Sequence, residues 1–136
     1  PFARARCREL IEHLELHLEL PARRLYAEAF FGTAVSEETK KEVAPLLEKG
    51  LRSLSRLARF APFIGGEHFT HADCAAWVHL PLVSQATHKI YGRDYLEEFL
   101  PQAKAYLKLI DERPHARKVS NDRKTAMDAH MSRGKK

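Results

Sequence analysis

The chain has 136 residues, two cysteines and a formal net charge of +5. This length fits one domain of ordinary size. Two cysteines without a metal-ligand pattern exclude a disulfide framework and a zinc site, which favours a reducing, cytoplasmic compartment. The longest uncharged run, residues 74–88, contains a proline and falls short of the roughly 18 apolar residues that suggest a membrane span, so no membrane association is predicted.

The positive charge is concentrated at the end of the chain. Residues 115–136 carry seven lysines and arginines against two aspartates, which is the whole excess of five, whereas residues 1–114 carry sixteen charges of each sign. A basic terminus is more often solvated than bound to nucleic acid. We therefore expect residues 132–136 to form a disordered basic tail. A nucleic-acid partner, which would give a steep salt dependence of binding, is the weaker alternative.

The first predicted element is a helix from about Phe2 to Phe30. Its stretch HLELHLEL, residues 13–20, alternates apolar and polar residues as a strand does, but at about 100° per residue its glutamates fall on one stripe. The leucines then form two rows, Leu14 and Leu18 in one and Leu16 and Leu20 in the other. This pattern predicts a helix that is buried on two sides. Pro21 is predicted to kink it and Gly32 to end it.

A second, amphipathic helix is predicted to begin after Ser36, which is a suitable N-cap. Its apolar residues recur at helical spacing from Val43 to Ala61 while charged residues take the other face. Gly50 lies inside this helix, where glycine costs about 1 kcal/mol against alanine. Either another helix approaches closely at Gly50 or this is a tolerated surface glycine, and the sequence favours neither.

The segment FIGGEHFTHAD, residues 63–73, is predicted to lead into a central helix. Thr70 can cap this helix while Asp73 reaches back to the Thr70 amide, which makes a capping box. Phe69 and Cys74 occupy the two positions that a hydrophobic staple pairs, so Cys74 is expected to be buried and inert. Because residues 74–88 carry no charge on any face, other helices are predicted to enclose them.

The remaining elements are also predicted to be helical. A short helix over residues 95–100, a helix that starts at Pro101 and a last helix that restarts at Pro114 follow in order. Leucine occurs 17 times against 9 valines and isoleucines together, which favours helices over strands. The predicted fold is therefore an all-α bundle of five to six helices around a buried central helix, and residues 1–131 are expected to form a single domain.

Four side chains are candidates for ligand contacts. His13 and His17 are four residues apart on one helix face, as two metal-binding histidines can be, but no third ligand is visible, and a metal site is not predicted. Tyr26 and Trp77 are aromatic residues that either line a pocket or, as is commoner for one aromatic per helix, belong to the core.

Three motifs resemble the C-terminal, all-helical domain of cytosolic glutathione transferases. FIGGEHFTHAD is similar to the family's loop, capping box and staple, with Phe69, Thr70 and Asp73 in the matching places. RPHARK is similar to the start of a late helix, and PFARARCREL to the segment that enters the first helix. The resemblance covers essentially residues 1–130. Family members carry a thioredoxin-like domain ahead of this one, which binds glutathione and supplies the Ser, Tyr or Cys that stabilises its thiolate.

The resemblance implies that this chain is part of a transferase and holds no catalytic residue, so that the fragment alone is inactive. Its helices would provide the pocket for a small apolar electrophile and much of a homodimer surface, while glutathione is the co-substrate, bound mainly by the missing domain, and no metal is used. The first helix would face both the cleft and the partner subunit, which would explain two leucine rows. The resemblance also turns the face of His13 and His17 toward the cleft, where one of the two would contact substrate or thiol, while Tyr26 and Trp77 are substrate-contact candidates from their residue type alone.

One alternative of a different class remains open. Helical domains similar to those of glutathione transferases also serve as non-catalytic assembly modules in translation- and transcription-associated proteins. A module of that kind would bind a protein partner and catalyse nothing.

Overall fold

The computed structural model describes residues 1–133 of the chain. These residues form two compact units, one from Pro1 to Tyr106 and one that starts at Leu107. The described residues form helices and no strand, which confirms the all-α prediction. The helices are α1 (Phe2–Leu14), α2 (Leu20–Arg23), α3 (Tyr26–Phe31), α4 (Glu37–Leu57), α5 (His71–Tyr91), α6 (Tyr95–Phe99), α7 (Ala103–Asp111) and α8 (Pro114–Arg133).

The first predicted helix is divided into segments. A π-helical stretch, Glu15–Glu19, separates α1 from α2, and the chain leaves helical geometry again after Arg23. Pro21 lies in the first turn of α2, where the missing N–H of proline has little effect. The predicted kink at Pro21 is therefore replaced by a π-helical stretch before it and a break after it. Gly32 ends α3 in the left-handed conformation with φ of 74°, as predicted.

Only one of the two leucine rows is buried. Leu14 and Leu18 have no exposed surface, whereas Leu16 is 54% and Leu20 51% exposed. Nothing in the described residues covers the second row, so its burial, which the resemblance assigns to the missing domain and the partner subunit, stays a prediction. The second row lines a groove on this side of the helix.

Helix α4 packs its apolar face against the π-helical stretch. The Ser36 hydroxyl caps α4 by accepting a hydrogen bond from the Thr39 amide at 3.2 Å. Gly50 is buried, and a Cβ atom added to it would lie 2.3 Å from the carbonyl oxygen of His17 and 2.8 Å from a methyl group of Leu18. Two backbones therefore approach each other closely at Gly50, so this glycine is explained by a close helix contact and is not a tolerated surface glycine.

Helix α5 begins with the capping box, and its acid is the most heavily hydrogen-bonded buried side chain described in the first unit. The Thr70 amide donates to an oxygen of Asp73 at 2.8 Å, and the Thr70 hydroxyl accepts from the amide of Ala72. Asp73 is fully buried and also accepts from the Ile64 amide at 2.9 Å and from the Tyr106 hydroxyl at 2.7 Å. Burial and the neighbouring Asp73 raise the pKa of Tyr106 far above its usual value, so the phenol stays a donor.

The expectation that Cys74 is buried is wrong. Cys74 is exposed, and the neighbouring Phe69 packs edge-on against Phe63 with 5.7 Å between ring centroids. Position 74 lies on the outer side of α5 together with the exposed residues Val78, Gln85 and His88. Only the opposite side is buried, so the expectation that α5 is enclosed on every face is also wrong. The absence of charge does not require burial when alanine, serine and glutamine separate the larger apolar residues.

The second unit contains α8, which starts at Pro114 as predicted. None of the residues of α8 is buried, and Met127 and Met131 are about half exposed. Of the predicted tail 132–136, Ser132 and Arg133 belong to α8, and residues 134–136 lie outside the described residues. The single domain over residues 1–131 stays a prediction.

Candidate functional site

A groove lies between the first helical stretch and α4 and has a volume of about 670 Å³. One wall comes from α1, the π-helical stretch and α2, and the other comes from α4. The groove is lined by His13, Leu16, His17, Leu20, Pro21, Arg24, Leu46, Lys49, Gly50, Ser53, Arg56 and Leu57. The exposed leucine row of the first helix therefore faces an opening of ligand size.

The floor of the groove is set by the close backbone approach at Gly50. A ring nitrogen of His13, Nε2, lies 2.9 Å from the Gly50 carbonyl oxygen, which fits a hydrogen bond donated by the imidazole. The His13 and His17 rings are 4.9 Å apart, and His17 is exposed. His13 thus ties the two walls together, while His17 remains available at the rim.

The lining of the groove is cationic. It contains Arg24, Lys49 and Arg56 and no carboxylate. Arg24 is paired with Glu42 at 2.6 Å, whereas Lys49 and Arg56 make no ion pair or hydrogen bond with any residue in the described part of the chain. The α4 wall therefore presents two unneutralised positive charges beside apolar surface.

Tyr26 and Trp77 do not line this groove. The Tyr26 ring packs against Phe30, and its hydroxyl is buried without a hydrogen-bond partner among residues 1–133. Burial, with a smaller contribution from Glu19, raises the pKa of Tyr26 to about 12. Trp77 lies in α5 and is 9% exposed. The groove thus brings together His13 and His17 of the four predicted contacts, and neither aromatic residue.

Sequence reasoning missed the α4 wall of the groove. Leu46, Lys49, Ser53 and Arg56 follow one another at spacings of three and four residues, which places them on one helix face. That spacing was visible in the sequence. The signal was overlooked because a polar face opposite an apolar one is the usual pattern of a solvated helix.

Comparisons with known proteins agree with this architecture. A family profile described as "Glutathione S-transferase, C-terminal domain" matches residues 2–109. This chain belongs to that family. It is 40% identical over 131 residues to a protein of Pseudomonas putida named "Glutathione S-transferase". The match covers 96% of this chain and 59% of the relative, so the chain spans about three fifths of the relative's length.

The lining of the groove combines apolar, imidazole and cationic side chains. No group of three His, Cys, Asp or Glu side chains that could hold a metal ion occurs within residues 1–133. In the same part of the chain, no helix is long and apolar enough to cross a membrane. Apolar side chains, two imidazoles and two free cations are what the groove can offer to a ligand.

Proposed function

We propose that the parent of this domain is a glutathione transferase-like enzyme that conjugates glutathione to a small apolar electrophile. In the reaction with an aryl chloride, the thiol of glutathione loses its proton, its sulfur bonds to the ring carbon, and chloride leaves. The proposal rests on the family match over residues 2–109 and on the name of the relative. The rest of the parent would bind glutathione and activate its thiol.

The part proposed for this domain is to bind the electrophile in the groove. Leu16, Leu20 and Leu46 are each about half exposed, and covering the remainder of each contributes on the order of 1 kcal/mol. His13 and His17 would contact the electrophile from the same wall. An apolar ligand in this position would bury apolar surface against the leucines and would be positioned along one side by the two imidazoles.

Only one of the two aromatic candidates is kept as a proposed substrate contact. The Tyr26 hydroxyl is buried without a partner in residues 1–133, so a substrate that reached it would satisfy an unpaired donor, and Tyr26 is kept as a proposed contact. Trp77 is nearly buried, and we assign it to the core.

We further propose that the parent is a cytoplasmic homodimer that needs no metal ion and to whose contact surface this domain contributes. Both cysteines, Cys7 and Cys74, are free, which fits a reducing compartment. Sedimentation equilibrium of the parent tests the dimer. An activity assay of the parent with and without a chelator tests whether a metal ion is needed.

The central experiment compares conjugation by the parent with conjugation by this 136-residue chain, using glutathione and a chlorodinitrobenzene. The parent is expected to catalyse thioether formation, and the chain alone is expected to leave the uncatalysed rate unchanged. In the parent, Leu46→Asn should raise the KM for the electrophile and leave the KM for glutathione unchanged. Lys41→Asn, on the same helix outside the groove, is the control. A parent without conjugating activity would favour the non-catalytic assembly module.

A further inference from the structure

We propose that helix α8 docks an acidic, amphipathic helical segment of another protein. The contact is made by a docking stripe whose residues are spaced alternately by three and four, so that they lie on one side of the helix. The stripe consists of Arg117, Ser120, Lys124, Met127 and Met131. It is about 21 Å long, since a helix rises about 1.5 Å per residue. The proposal concerns α8 alone and does not depend on the transferase function proposed for the parent.

The first argument is that α8 lacks a buried face. The helix has 20 residues, and none of them is buried. Helices in proteins draw most of their stability from packing. The exposed ion pair between Lys118 and Asp122, at 3.0 Å, adds little to it. The helix is therefore expected to gain order when a partner covers one of its sides.

The second argument is the charge of the docking stripe. Arg117 and Lys124 are exposed and make no ion pair or side-chain hydrogen bond in the described part of the chain. Of the two acids of α8, Asp122 lies on the opposite side of the helix and Asp128 at the edge of the stripe. The whole charge surplus of the chain lies in residues 115–136. An anionic partner is therefore attracted to this helix.

The third argument favours a protein segment over a nucleic acid. Met127 is 45% and Met131 52% exposed, and both lie at the end of the docking stripe away from Arg117. Methionine adapts to irregular apolar surfaces, whereas the phosphate backbone of DNA is bound by cations. Two unpaired cations are also few beside the roughly six to ten phosphate contacts of a strongly salt-dependent DNA binder.

The same features define the partner. Alternate spacings of three and four residues are those of two helices that pair along a shared stripe. The partner segment is therefore expected to be a helix with carboxylates opposite Arg117 and Lys124. Leucine-type side chains would lie opposite the two methionines.

The binding test uses the 136-residue chain and a labelled helical peptide of about three heptads. One end of the peptide's contact face carries glutamates and the other leucines. In fluorescence anisotropy, Arg117→Gln/Lys124→Gln should weaken binding roughly tenfold, because two exposed attractions are lost. Lys118→Gln/Arg133→Gln is the matched control, since it removes the same charge from the other side of α8, and it should change the affinity less than about twofold.

A second variant tests the apolar end of the docking stripe. Met127→Ser/Met131→Ser should also weaken peptide binding several-fold, because the leucines of the peptide lose apolar contact. None of the substituted residues is buried, so all of these variants should keep the fold, which far-UV circular dichroism checks. Hydrogen exchange of the α8 amides should be fast in the free chain and slower with the peptide bound.

Four results would overturn the inference. One is the absence of peptide binding to the wild-type chain at millimolar concentration, and another is equal affinity of the stripe variant and the matched control. Tighter binding of a short DNA duplex, weakened by Arg117→Gln/Lys124→Gln, would assign the helix to nucleic acid instead. Strong protection of the α8 amides in the parent without any peptide would show that the rest of the parent covers this helix.

Discussion

Replacing Gly50 by alanine should destabilise the domain although alanine is the better helix former. The added Cβ would lie 2.3 Å from the His17 carbonyl oxygen and 2.8 Å from a methyl group of Leu18. A backbone oxygen cannot rotate away as a side chain can. To restore ordinary contact, α4 and the π-helical stretch must separate by about 1 Å, which forfeits part of the packing along their whole contact.

The expected net loss is about 2 kcal/mol. Overpacking of this kind costs about 1–3 kcal/mol, and separating the walls also weakens the hydrogen bond between His13 and the Gly50 carbonyl, a bond with a net contribution of about 1 kcal/mol. The higher helix propensity of alanine offsets this loss by about 1 kcal/mol. For a chain of this size, the Tm should fall by roughly 8 °C.

Thermal and urea unfolding followed by far-UV circular dichroism measure this loss. Gly65→Ala is the matched control, because its Cβ would meet only a methyl group of Leu10 at 3.7 Å, and it should shift the Tm by only a few degrees. An unchanged or raised Tm for Gly50→Ala would refute the argument that backbone approach, rather than tolerance, explains this glycine.

Three further predictions concern single side chains. Asp73→Ala should cost about 3 kcal/mol or more in urea unfolding, since it leaves buried donors of Ile64, Thr70 and Tyr106 without their acceptor; a loss below about 1 kcal/mol would contradict this account. Tyr26→Phe should change the stability by less than about 0.5 kcal/mol or increase it, because the lost hydroxyl has no partner in residues 1–133, and a larger loss would reveal a hydrogen bond there. The amide of Val35, followed by Lys40, lowers the pKa of Glu28 in the folded state, so Glu28 contributes stability above its unfolded pKa of about 4.3 and loses it as the pH falls through the folded value. The Tm advantage of the wild type over Glu28→Gln should therefore be present at neutral pH and disappear in acid, and an advantage that persisted at the lowest pH would argue against this ion pair.

The capping box could be predicted because its physics is local. Thr70 and Asp73 are three residues apart, and helix geometry alone brings the acid to the amide. The same motif did not reveal the hydrogen bonds from Ile64 and Tyr106, since these depend on how a loop and another helix pack. The expected burial of Cys74 failed for the same reason, because the exposure of Cys74 is decided by what packs on α5.

The candidate groove was only half visible in the sequence. The i, i+4 spacing identified His13 and His17 as neighbours on one helix face. The helical angle of about 100° per residue separated the leucine row that includes Leu16 from the other row. The sequence does not state that α4 forms the second wall, because this depends on the approach at Gly50, which helix periodicity does not encode. The π-helical stretch was missed as well, since propensities do not distinguish one inserted residue in a helix from none.

The hydrogen bond between Tyr106 and Asp73 joins residues that are 33 positions apart. An ordinary helix cap forms with its own first turn, on the time scale of local structure. In this domain the start of α5 has its full set of hydrogen bonds only when the chain as far as Tyr106 is folded back onto it, so a cap encoded in four neighbouring residues is completed by a long-range contact.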